Sequence, residues 1–134
     1  APRHVERIKL LARQGFYDGT PFHHVIDGFM AQGGDPTGSG TGGSKLPDLK
    51  AEFNQRRFLR GVCGMARTND PNSANSQFFI MLAPAPHLDG QYTVWGQVVR
   101  GMEHVDQIKK GAPPGGIVAG PDRIAKMRVA ADAK

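Results

Sequence analysis

The chain has 134 residues, 39% of them hydrophobic and 22% charged, a composition that suits one soluble domain with its own core. Seventeen Lys and Arg against twelve Asp and Glu give a formal charge of +5, but the cations are scattered over residues 3–13, 56–60 and 109–110 without the clustered footprint of a nucleic-acid site. The single cysteine, Cys63, excludes an internal disulfide and a cysteine-based zinc cluster, and no apolar run is long enough to cross a bilayer.

Eighteen glycines and ten prolines point to a fold rich in turns rather than a helix bundle. Residues 2–14 are expected to be a helix: Val5, Ile8, Leu11 and Ala12 recur at three- and four-residue spacing, Pro2 suits the first turn, and Gly15 suits the exit. Residues 16–19 form a turn. Phe22, Val25 and Ile26 mark a strand, and Asp27-Gly28 turns the chain. In an extended chain Met30 and Gln32 then point to the same side. His23 and His24 are adjacent, so on a strand they face opposite ways and make a poor metal pair.

Residues 37–44, TGSGTGGS, are expected to be a flexible loop. It matches Gly-x-Gly-x-x-Gly at Gly38, Gly40 and Gly43, but no helix pattern comes after it, so a dinucleotide site is set aside. Residues 62–67 form a short strand, 68–76 a turn-rich stretch, and 77–82 a strand apolar on both faces. Residues 84–90 are a loop, 92–99 a strand, and 101–110 a second helix striped by Met102, Val105 and Ile108 and ended by Gly111. After a Pro/Gly loop, residues 123–130 read as a last strand, with Ile124, Met127 and Val129 apolar. Ser39 and Ser44 lie in no nucleophile elbow, and Cys63 reads as a buried, inert thiol.

Two stretches carry a joint signal: FHHVIDGFMAQGGD at residues 22–35 and NSQFFI at 75–80. Together they resemble the cyclophilins, the cyclosporin-binding peptidyl-prolyl cis-trans isomerases, and the resemblance covers the chain from end to end as a single domain, residues 1–134. It implies a mainly β fold, an antiparallel eight-stranded barrel capped by two helices. This sequence starts at the first helix, so the family's two N-terminal strands are absent and the last strand, residues 126–130, is expected to lack a partner.

The resemblance also implies a function. Isomerisation about an Xaa-Pro bond crosses a barrier of about 18–20 kcal/mol without making or breaking a bond, so the site need only bind the twisted amide better than either planar form. Phe29, Met30, Phe79 and Leu88 match the proline-pocket positions, and Gln32 the amide that bonds substrate backbone. Ala66 and Arg67, Thr41 on the glycine loop, Gln77, and His87 and Tyr92 match further substrate-binding positions; many members have Asn at Arg67, Trp at His87 and His at Tyr92. The catalytic arginine of the family is replaced by His24. The expected partners are proline-containing peptides and unfolded chains, with weak cyclosporin binding, no cofactor, no metal, no nucleic acid and no membrane. The expected compartment is cytoplasmic, with a periplasmic one left open. Two alternatives stand beside an isomerase: a proline-peptide binding module with little catalysis because of His24, and a chain whose barrel does not close.

Overall fold

The computed structural model describes residues 1–132. Helix α1 (Pro2–Arg13) begins with Pro2 in its first turn and passes through Gln14 to Gly15, whose φ of 71° suits glycine. Its inner face is more polar than the sequence stripe suggests: His4 and Arg7 are buried with Ile8, Leu11 and Ala12, whereas Val5 is only half-buried. Both polar residues fasten α1 to loops. The His4 N–H donates to Glu52 Oε1 (2.9 Å), and His4 Nδ1 lies 2.6 Å from the same oxygen. Arg7 donates to the carbonyls of Pro47 (2.6 Å) and Asn75 (3.3 Å).

Five short strands come next: β1 (His24–Ile26), β2 (Met30–Gly33), β3 (Val62–Met65), β4 (Phe78–Met81) and β5 (Val94–Gln97). They form one antiparallel sheet in the order β1-β2-β4-β3-β5. Because side chains alternate across a strand, this sheet has two distinct faces. One carries Val25, Ala31, Phe78 and Met65 into a core with α1, Tyr17 and Phe22. The other carries Met30, Phe79, Met81, Val62 and Val94 into a second core with Phe58 and Ala85.

The architecture is mainly β with two helices, as expected, but the sheet is open and has five strands rather than the closed barrel. The outer side of β1 is covered by irregular chain: Val25 N–H donates to Gly116 O, and Val118 N–H to His23 O. Residues 123–130, expected as the last strand, form no ladder. They dock through an isolated bridge between Pro21 and Arg123 and through Ile124, whose N–H reaches Thr20 O and whose carbonyl accepts from Gly19. Ile124, Met127 and Val129 still pack on the first core, so apolar packing is met here without strand pairing. The second helix is also shorter than its pattern: α2 is Met102–Val105, and turns carry the chain onward. Among the described residues no helix is long and apolar enough to cross a membrane.

Candidate active site

The register places His24 of β1 opposite Gln32 of β2, Gln32 opposite Phe79 of β4, and Phe79 opposite Gly64 of β3. Directly paired residues share a face, so an imidazole, an amide and a phenyl ring lie in one row across the sheet. At the end of the row Gly64 makes room for the ring. A Cβ on Gly64 would come within 2.5 Å of Phe79 and 2.8 Å of Phe58, the close approach that a glycine inside a strand often marks. Phe79 stacks on Phe58 (centroids 5.7 Å, 26°) and meets Tyr92 edge-on (5.7 Å, 90°).

Above this row opens a cleft of about 180 Å³. Its apolar walls are Phe29, Met30, Phe79 and Leu88, with Tyr92 at one side. Its polar rim is His24, Gln32 and Arg67, with Ala66 between the walls. Among the described residues the His24 side chain makes no hydrogen bond, while its neighbour His23 is 5% exposed and turned into the structure. Burial holds the His23 imidazole below its ordinary pKa.

Gln32 is held from the side. Its Nε2 donates to Gln77 Oε1 (3.0 Å), and Gln77 Nε2 donates to the carbonyls of Gly40 and Gly42 (2.9 Å each). This leaves Gln32 Oε1 without a partner among the described residues, an acceptor on the wall that the cleft shares with a neighbouring cavity. The glycine loop expected to be flexible is wound on a buried carboxylate. Asp35 accepts from Thr37 N–H and Oγ1, Gly40 N–H and Gly42 N–H, at 2.7–3.0 Å. Burial alone would raise the Asp35 pKa, but these hydrogen bonds outweigh it and hold the carboxyl at about 2.

Thr41 and Gln77 do not line the proline-sized cleft. They line a neighbouring cavity of about 440 Å³ along the glycine loop, which shares Gln32, Ala66 and Arg67 with the cleft. His87 is exposed and lies outside both, its ring 5.8 Å from Phe29. Arg67 places its guanidinium 4.5 Å from the Tyr92 ring centroid. Cys63 is buried, and burial pushes its thiol up to about 12, away from reactivity. Phe58, 1% exposed and stacked on Phe79, and Asp35, the post of the glycine loop, were not singled out from sequence. A lone aromatic inside NQRRFLR and an acid just before a glycine-rich run were the available signals.

Comparison with known proteins points to one family. The model of the cyclophilin type peptidyl-prolyl cis-trans isomerase/CLD family matches residues 1–129. A Brucella abortus protein named probable peptidyl-prolyl cis-trans isomerase is 53% identical over 146 aligned positions, covering 100% of this chain and 74% of the relative. A rat peptidyl-prolyl cis-trans isomerase-like 3 is 44% identical over 113 positions, covering 81% and 70%. Among solved structures, a Cryptosporidium parvum cyclophilin type isomerase crystallised in the presence of the dipeptide Ala-Pro superposes with a TM-score of 0.87 at 30% identity, covering 96% of this chain and 85% of that one. A cyclophilin from Hirschia baltica gives 0.86 at 29% identity, covering 98% and 67%.

Proposed function

The chain belongs to the cyclophilin-type peptidyl-prolyl cis-trans isomerases, and from that premise we propose that it catalyses rotation about Xaa-Pro bonds in the cleft above the His24–Gln32–Phe79 row. The observation that carries the assignment is the row itself: an imidazole without a hydrogen-bond partner among the described residues and an anchored amide, in register with the ring that walls an apolar cleft.

Each side chain has a part in the rotation. The pyrrolidine ring enters between Phe29, Met30, Phe79 and Leu88, which bind it by apolar burial. The Gln32 amide, oriented by Gln77, accepts a backbone N–H of the peptide and fixes the segment against which the rest of the chain turns. As the amide twists, its resonance is lost and the prolyl nitrogen regains its lone pair. His24 donates to that nitrogen, stabilising the twisted state more than either planar one. No bond forms or breaks.

Its substrates are proline-containing peptides and unfolded chains; the Ala-Pro dipeptide used with the Cryptosporidium relative supports this class. Cyclosporin binds weakly, because His87 stands exposed beside Phe29 where many family members carry tryptophan. A protease-coupled assay on a proline tetrapeptide tests the function. Acceleration over the spontaneous rate is expected, and binding of the peptide with no acceleration would reduce the chain to a binding module.

A further inference from the structure

The two cavities share three lining residues, Gln32, Ala66 and Arg67. A peptide whose proline fills the smaller cleft therefore passes Arg67 when it extends into the larger one. Arg67 is held in place there. Its Nε and Nη2 donate to Gln91 O (3.1 and 2.6 Å), its Nη1 donates to Thr68 O (2.9 Å), and its guanidinium lies 4.5 Å over the Tyr92 ring. All of these partners are uncharged. Among the described residues no carboxylate pairs with Arg67, and three of its five N–H groups are used, leaving two free. The other acidic or basic side chain on the wall of the larger cavity is Asp48, which already accepts from Asn75 Nδ2 at 3.0 Å.

We propose that Arg67 makes this site selective for substrates with an acidic side chain close in sequence to the proline, on the segment that runs from the cleft toward the glycine loop. The proposal rests on the isomerase assignment above and adds the class of substrate. An arginine keeps its charge at any working pH and binds carboxylates through its fork of donors. Here the side chain is already ordered by neutral carbonyls and a ring, so little freedom remains to be lost when a carboxylate arrives. The Asp48 carboxylate disfavours a second anion deeper in the larger cavity, which confines the preference to the end near the proline. Because Arg67 is only half-buried, the expected advantage is modest, about 2–10-fold.

The test uses matched proline peptides carrying Glu or Gln at the positions just before and just after the Xaa-Pro pair, with both affinity and turnover measured. The Glu peptide of one side should bind about 2–10-fold more tightly than its Gln counterpart, with the gain in KM rather than kcat. The ratio should fall to one in Arg67→Gln and shrink as salt rises in the parent protein. The salt series keeps the test decisive should Arg67→Gln fold poorly. Equal affinity for Glu and Gln peptides on both sides, or a Glu advantage that survives in Arg67→Gln, would overturn the proposal. Failure of every proline peptide to bind would instead overturn the isomerase assignment and the proposal with it.

Discussion

Gln32 Nε2 donates to Gln77 Oε1 across 3.0 Å, and Gln77 in turn holds the carbonyls of Gly40 and Gly42. The amide at the centre of the site is thus tied to the glycine loop through a single side chain. Gln77→Ala removes the acceptor that orients Gln32 and should lower kcat/KM by about 3–10-fold, the worth of one neutral hydrogen bond. Steady-state kinetics on a proline tetrapeptide checks this, and an unchanged kcat/KM would mean that Gln32 needs no such anchor.

The same loop hangs on Asp35, whose pKa is lowered from 3.8 to about 2. A carboxyl with a depressed folded-state pKa contributes stability above its unfolded value and loses it as pH falls through the folded value. The parent protein should therefore lose on the order of 2 kcal/mol from this group between about pH 4 and pH 2. Thermal melts across that range should show the loss, and Asp35→Asn should be less stable at pH 7 and flatter on the acid side. Parallel acid limbs in parent and variant would mean that Asp35 is not the group responsible.

Phe79 is both pocket wall and core. It is 4% exposed and packs against Phe58 and Tyr92, so Phe79→Ala cannot leave the fold nearly intact, as a pocket-only role would allow. It should destabilise the protein by about 3–5 kcal/mol, read by urea denaturation. Leu88→Ala, at a half-buried wall, is the gentler variant and should weaken proline-peptide binding with a smaller loss of stability.

His87 is exposed against Phe29. His87→Trp should tighten cyclosporin binding, because an indole adds apolar area and an N–H donor at that rim. Calorimetry checks it, and nanomolar affinity in the parent protein would contradict the placement of His87.

The row beneath the cleft was legible because its residues sit in two contiguous motifs whose period-2 alternation sets the face of each side chain: Met30 and Gln32 on β2, Phe79 on β4. What the sequence concealed depends on contacts between distant segments. Residues 123–130 carry apolar residues like a strand because Ile124, Met127 and Val129 pack on the core, but their backbone bonds go to residues 18–20 and not to a ladder. The burial of His4 and Arg7 rests on acceptors at Glu52, Pro47 and Asn75, which no helical periodicity reports. The order of the glycine loop likewise comes from one buried carboxylate, and composition alone favoured flexibility.

In the proposed mechanism His24 is the donor that meets the prolyl nitrogen. A neutral imidazole offers one N–H where an arginine offers a charged fork of five, so the parent should turn over more slowly than a chain with arginine there. The most direct measurement is kcat/KM of the parent and of His24→Arg on one proline tetrapeptide, alongside the affinity of each for that peptide. The variant should be about 10²–10³-fold faster, with affinity little changed because the apolar walls are intact. Equal turnover in the two proteins would show that this side chain does not act on the twisted amide.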